Sequence, residues 1–465
     1  MALTVKSFRR AAQKALRDPD LQGALDGATR RFRTERQHAL DRLPDAAGMR
    51  DHFKAQRTAT LNQLANHLET FESQAQANGA KVHWALDGDE AKSIILDIIR
   101  ASGSARVVKS KSMATEEIHL NSALEAAGIV PIETDLGEWI IQLAKEPPSH
   151  IIGPALHKTR QQVAALFEAV TGEAHSPDDI PGMTAAARKL LRGEFLRAGV
   201  GISGGNIAVA ESGSIVLVTN EGNGRMVTSV PRVHIALIGI EKVAATWQDA
   251  GLWLSLLARS ATGQGLSVYT SIISGPRRDD DPDGPEEVHI VLLDNGRSAL
   301  LGGEFQEILE CIRCGACLNS CPVYQQAGGH AYGSPYSGPI GAVISPLLFG
   351  ESNFAALPQA SSLCGACREV CPARIDIPRM LLALRARQKQ ESKSGAFLDT
   401  AEKLMAGAFS SERQLKSRTA LLRPFLGALG QDGFVSLPEV LNPGQERSLP
   451  ILAKQPFREL WEQIE

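Results

Sequence analysis

Outside two short stretches this chain of 465 residues has no cysteine. That excludes a disulfide framework spread over the fold, and its seven thiols lie too close together to act as loop-closing bridges. No run is long and apolar enough to span a bilayer. The uncharged stretch Ala331–Gly350 could mimic one, but Pro335, Pro339 and Pro346 argue against a continuous helix there. Neither sign of charge dominates: a formal net charge of −3 gives no electrostatic reason to expect nucleic acid. Arg9, Arg10, Lys14 and Arg17 would suit a transit peptide, but Asp18, Asp20 and Asp26 contradict one, because such segments avoid acids. No secretory signal is visible, and apart from the cysteine stretches there is no internal repeat. The expectation is a cytoplasmic protein with reduced thiols and no transmembrane segment.

The cysteines that are present carry a pattern. The first stretch is Cys311-Ile-Arg-Cys314-Gly-Ala-Cys317-Leu-Asn-Ser-Cys321-Pro322, and the second is Cys364-Gly-Ala-Cys367-Arg-Glu-Val-Cys371-Pro372. The first is the C-x2-C-x2-C-x3-C-P run in which three thiolates wrap one cubane iron–sulfur cluster and the fourth reaches across to another. The spacing therefore predicts two 4Fe-4S clusters with crossed ligands. Cluster one takes Cys311, Cys314, Cys317 and Cys371; cluster two takes Cys321, Cys364 and Cys367. Cluster two is then one thiolate short, and position 361, where the missing ligand belongs, holds Ser361. Three readings stay open: Ser361 Oγ or another protein oxygen binds the fourth iron, water or substrate binds it, or the cluster has three irons. Zinc is the rival metal for two C-x2-C pairs, but it needs only four ligands and leaves the two C-x3-C-P endings unexplained. Between Arg313 and Arg368 the only charged residue is Glu351, which predicts a neutral collar of low dielectric around the clusters.

Length predicts two or more domains. Residues 1–80 read as helices broken at Pro19, Pro44 and Gly48. Residues 81–299 alternate helix and strand, which implies a largely parallel sheet with helices packed on it. There Asp87 caps a helix, Glu116–Ala127 reads as one helix and Ala155–Val170 as another. Residues 300–390 form the mainly helical cluster domain. In 391–465 a helical or extended tail is expected, punctuated by Pro438, Pro443, Pro450 and Pro456.

Several stretches of the α/β region could hold a ligand. Gly199-Val-Gly201-Ile-Ser-Gly204 matches G-x-G-x-x-G, but a helix precedes it and a strand follows, the reverse of a dinucleotide site, so the glycines are read as a helix-to-strand turn. Asn220–Arg225 and Arg259–Gln264 are polar, glycine-bearing stretches beside apolar strands, and Arg225 or Arg259 could grip a carboxylate. Turn chemistry explains them equally well. Lys109–Met113 follows a strand and precedes a helix, which suits an anion or a solvated basic loop. Glu211 reads as a turn residue and His234 as a core histidine, and His119, His150, His157 and His234 have no metal-ligand spacing. No base or nucleophile constellation is visible, so no catalytic residue is assigned.

These segments in this order resemble the lactate utilization protein B family. The match runs through Lys109–Asn121, Glu133–Glu138, Pro148–Ala155, Gly205–Arg225, Arg259–Gln264, Leu293–Arg297, Gly333–Ala342 and both cysteine stretches. The resemblance implies an α/β domain related to CoA-transferase and sugar-phosphate-isomerase folds, joined to a ferredoxin-like domain with two 4Fe-4S clusters. It implies an electron-transfer subunit in a flavin-independent oxidation of L-lactate to pyruvate. The implied partners are a cysteine-rich subunit resembling the glycolate oxidase iron–sulfur protein and a second lactate-utilization-domain protein. The alternative is an enzyme subunit that binds the hydroxy acid itself at the incompletely ligated iron.

Overall fold

Four helices open the chain: Val5–Leu16, Pro19–Asp41, Ala46–Asn62 and Leu64–Ala77. Side chains of Thr4, Asp18 and Asp45 cap the first three by accepting N–H groups that have no partner inside the helix. Pro19 opens a helix and Pro44 lies between two, as expected. Gly48 does not break one; it sits in the first turn of the third helix, where its N–H donates to Asp45 Oδ1 at 2.8 Å. The computed structural model describes residues 3–391, 400, 403, 404, 406–430, 432–436 and 448–464. These fall into two units, Met1–Gln388 and Lys389–Glu465.

In the first unit the strands are β1 (Lys81–Ala85), β2 (Arg106–Lys109), β3 (Val130–Glu133), β4 (Val200–Ser203), β5 (Ile207–Val209), β6 (Ser214–Thr219), β7 (Val233–Gly239), β8 (Val243–Ala244), β9 (Tyr269–Ile273) and β10 (Glu287–Leu293). Six of them form an all-parallel sheet in the order β1-β10-β7-β4-β2-β3. The other four form a mixed sheet, β8-β5-β6-β9. The two-residue period of a strand sorts its side chains between faces. Val233, Ile235, Leu237, Val291 and Leu293 join one core with Ala91, Ile95 and Ile99 of helix Gly88–Ser102. Their neighbours Ala236, Ile238, Ile290 and Leu292 join a second core that runs without a break through the N-terminal helices, the small sheet and the cysteine region.

Two helical expectations change. Glu116–Ala127 is two helices, Met113–Glu117 and Leu120–Ala126, because His119 turns left-handed (φ +52°) between them. The helix expected over Ala155–Val170 starts at Arg160, where Thr159 forms a capping box with Gln162. The uncharged stretch does contain a helix, Gly338–Phe349, with Pro346 inside it. It is only 12 residues long and almost wholly buried, and among the described residues no helix is long and apolar enough to cross a membrane.

In the second unit, helix Glu412–Leu429 is capped by Ser411, and β11 (Phe434–Ser436) pairs antiparallel with β12 (Ser448–Pro450). Pro450 ends a strand and Pro456 precedes a short helix, Phe457–Trp461. Pro438 and Pro443 lie outside the described residues.

Candidate functional site

The carboxyl ends of the parallel strands carry the chemistry. From β2 the chain moves to β3 at one edge, whereas β4, β7 and β10 step successively the other way. The direction of travel across the sheet thus reverses between β2 and β4, the place where open parallel sheets bind ligands. Lys111 and Ser112 follow β2, Gly204 and Gly205 follow β4, and Glu241 and Lys242 follow β7. Together with Arg297, Arg313 and Tyr336 they line a cavity of about 100 Å³. A larger outer cavity of about 470 Å³ shares Lys111, Asn206, Leu217 and Arg313 with it. Gly239 is required here, since a Cβ would stand 2.2 Å from Glu241 Oε2.

The inner wall is a buried ion network. Arg297 Nη1 and Nη2 donate to Glu117 at 2.8 and 2.7 Å, and its Nε donates to Glu241 at 2.6 Å. Tyr336 Oη and Asn295 also donate to Glu117, at 2.5 and 2.7 Å. Arg297 holds the Glu117 carboxyl below its usual range, and Arg297, Lys242 and Arg313 hold Glu241 at about 2 against burial. Arg297 is therefore neutralised by two carboxylates. Arg313 is less committed: Nη2 reaches Glu241 at 3.4 Å, and Nη1 is buried without a hydrogen-bond partner. Lys111 has no hydrogen bond or ion pair among the described residues, and burial lowers its pKa against the pull of Asp135, Glu138 and Glu221. Burial and Asp135 raise Glu221, on the outer wall, to about 7, within range for accepting a proton.

A third, apolar cavity lies beyond Arg313, and Cys311, Cys314, Cys317 and Cys371 line it together. Cys321 does not line it and lies within electrostatic reach of Cys364 and Cys367, although Cys367 is also within reach of Cys317. All seven thiols are free, and Cys364 is exposed. Burial, with crowding, raises Cys314 to about 11 and Cys367 to about 12, opposed by N–H groups of Ala316 and Arg368; N–H groups of Tyr324 and Ala373 oppose the same rise at Cys321 and Cys371, and that of Ala366 lowers exposed Cys364. Clustered, buried thiols with aimed N–H groups fit a group that brings its own positive charge, as iron–sulfur clusters do.

Cations from distant segments surround this cavity. Arg36 Nη2 donates to Val370 O at 2.7 Å, Arg50 Nη2 to Cys371 O at 2.7 Å, and Lys242 Nζ to Cys311 O at 2.7 Å. Arg57, stacked 4.4 Å above the Trp253 ring, donates to Val243 O, Glu241 O and Leu309 O. The collar that is neutral along the chain thus acquires charged neighbours in space, arginines together with the carboxylates of Glu241, Glu310 and Glu369. Sequence reasoning missed Arg36, Arg50, Arg57 and Lys242, because none lies in a motif. The N-terminal helices were legible as helices, but their arginines gave no sign of which carbonyls they would meet.

The other expected residues divide. Asn220, Glu221, Thr262 and Gln264 do meet on the outer cavity, with Asn220 Nδ2 donating to Gln264 Oε1 at 2.8 Å. The arginines beside them do not line it. Arg225 is exposed in a separate depression beside Tyr269, and Arg259 Nη1 is taken by the carbonyls of Ser255 and Gly265. The loop Lys109–Met113 is not a solvated basic loop: Lys109 is buried in an ion pair with Glu133 at 2.6 Å, and the helix after it has only five residues. Gly201 lies inside β4, where a Cβ would meet Val227 O at 2.0 Å, so close packing and not a nucleotide explains it. Glu211 accepts the Trp247 N–H at 2.5 Å, a turn role, and buried His234 Nε2 pairs with Ser203 Oγ at 2.8 Å. His150 Nε2 pairs with Asn319 Oδ1 at 3.1 Å, against the first cysteine loop. Folding does gather Glu146, His157 and His330 within 4.8 Å, but Lys158 already pairs with Glu146 at 2.5 Å.

Residues 68–293 match the LUD domain, and residues 307–375 match the 4Fe-4S dicluster domain. Lactate utilization protein B of Shouchella clausii is 43% identical over 460 residues, covering 97% of this chain and 96% of its own. The protein of the same name from Lysinibacillus sphaericus is 42% identical over 97% of this chain and 95% of its own. That from Geobacillus sp. is 45% identical over 83% and 81%.

Proposed function

The chain belongs to the lactate utilization protein B family, and from that premise we propose that it is an iron–sulfur electron-transfer component in the oxidation of L-lactate to pyruvate. Cys311, Cys314, Cys317 and Cys371 hold one 4Fe-4S cluster, and Cys321, Cys364 and Cys367 hold the second. The observation that supports the crossed set is the cavity shared by the first four, which Cys321, Cys364 and Cys367 do not line. Lactate oxidation releases two electrons and two protons, and two clusters that each take one electron match that count. The chain's own residues supply the setting. Buried side chains exclude water, N–H groups point at the sulfurs, and Arg36, Arg50 and Lys242 bind the loop carbonyls. Exposed Cys364 marks the face that a partner can approach. Such partners are a cysteine-rich iron–sulfur subunit and a second lactate-utilization-domain protein, in the cytoplasm.

One observation favours a second reading, in which this chain also binds the hydroxy acid. Arg313 lines the inner cavity, the outer cavity and the cysteine cavity at once. A carboxylate held by Arg313 and Lys111 would sit beside cluster one, not at the open iron of cluster two with Arg225 or Arg259. The test is iron and sulfide analysis with EPR on anaerobically purified chain, titrated with L-lactate and with pyruvate. Lys111→Met is expected to keep the iron and to weaken the ligand-induced spectral change at least about tenfold, since losing one charged hydrogen bond costs roughly 1.5–3 kcal/mol. Full clusters indifferent to both acids would sink the binding reading and leave the relay; an iron-free chain would sink both.

A further inference from the structure

We propose that Ser361 is the fourth protein ligand of the second cluster, binding iron through Oγ; this rests on the reading that the chain holds two clusters. The two cysteine stretches are conformational copies of each other. In the first, Arg313 stands at φ +58° before Cys314 and Gly315 at φ +75° after it. In the second, Leu363 stands at φ +56° before Cys364 and Gly365 at φ +84° after it. A left-handed residue other than glycine is uncommon, so Arg313 and Leu363 mark one loop shape made twice. Short helices then begin at Ala316 and at Ala366.

The hydrogen bonds repeat with the backbone. The N–H groups of Ala316 and Ala366 point at Cys314 and Cys364. One turn earlier, the Arg313 N–H donates to Cys311 Sγ at 3.4 Å, and the Leu363 N–H donates to Ser361 Oγ at 3.1 Å. Matched residue for residue, with 311 on 361, 314 on 364, 317 on 367 and 321 on 371, Ser361 Oγ takes the place of Cys311 Sγ. The loop is also fastened there. Arg385 Nη2 donates to Ser361 O at 3.0 Å, and its Nε donates to Pro358 O at 2.8 Å. Neighbouring Ser362 is exposed, and its hydroxyl is bonded to Cys364.

Binding through Oγ forms an iron–oxygen bond as the hydroxyl proton leaves to solvent. Oxygen is a harder donor than sulfur and favours the oxidised state of the iron, so cysteine in its place should raise the potential. The experiment is iron counting, Mössbauer spectroscopy and an EPR-monitored redox titration on anaerobically purified full chain. Ser361→Ala is expected to lose about one of roughly eight irons and to give a three-iron signal on oxidation. Ser361→Cys should keep the full iron content and shift one midpoint potential upward while the other stays in place. Ser362→Ala should match the unmodified chain. Ser361→Ala with unchanged iron, spectrum and potentials would overturn the proposal. So would a Ser361→Cys protein that moves neither potential, which decides the matter even if the alanine variant does not fold. An iron-free unmodified chain would instead remove the reading on which the proposal rests.

Discussion

Replacing Cys371 with alanine is expected to erase the same cluster as replacing Cys314, although 57 positions separate them in the chain. Each variant should lose about half of the iron, and the two should leave the same residual EPR spectrum. Cys321→Ala should instead leave the spectrum seen with Cys367→Ala. The reason is spatial. Cys371 lines the cavity of Cys311, Cys314 and Cys317, and its carbonyl is pinned there by Arg50 Nε and Nη2. Cys321 precedes the helix Pro322–Ala327, does not line that cavity, and lies within electrostatic reach of Cys364 and Cys367. If Cys371→Ala left the same spectrum as Cys367→Ala, each stretch would bind its own cluster and the crossed assignment would be wrong.

Arg297→Met is expected to be the most destabilising single change away from the cysteines. It leaves Glu117 and Glu241 buried without their shared counter-charge, a loss of about 3–5 kcal/mol for breaking a buried pair from one side. Anaerobic urea unfolding followed by the fluorescence of buried Trp253 would measure it. The pH dependence follows from the shifts. Arg297 depresses Glu117 and Glu241 in the folded chain, so the network's contribution is complete above their unfolded value of 4.5 and fades as pH falls towards the folded value of about 2 for Glu241. Without Arg297, burial raises the Glu117 carboxyl, and protonating it relieves the variant. The gap between the two proteins should therefore shrink as pH is lowered from 8 to about 5. Adding Glu117→Gln to Arg297→Met should recover part of the loss, because the amide can be buried uncharged. An unchanged urea midpoint in Arg297→Met would mean that the network contributes nothing net.

Much of the fold was legible because its causes are local. Asp87 announces a helix start, since its side-chain oxygen meets N–H groups only two or three residues on. The alternation of β7 and β10 follows from strand geometry alone. Legibility failed where a neighbour in space overruled local preference. His119 adopts a left-handed turn that no helix pattern signals. The Gly338–Phe349 helix tolerates Pro346 because Tyr336, Ile340 and Ile344 pack it into the core. Arg225 and Arg259 sit in the right stretches, but their side chains leave the cavity that those stretches build.

By itself the sequence determined the number of cysteines, their spacing and the position, Ser361, at which the second stretch has one fewer than the first. Each of these is a matter of order along the chain, and cluster loops form from consecutive residues. Only the tertiary structure decided what surrounds them. Arg36, Arg50 and Arg57 come from helices more than 250 residues earlier, and Lys242 comes from the end of β7. Charge acts through space and burial, so a collar that is neutral in sequence acquires charged neighbours once one continuous core draws those helices onto the cysteine loops. The cavity at the reversal of the sheet has the same origin: Lys111, Gly204 and Arg313 become neighbours only through the order in which the strands are laid down.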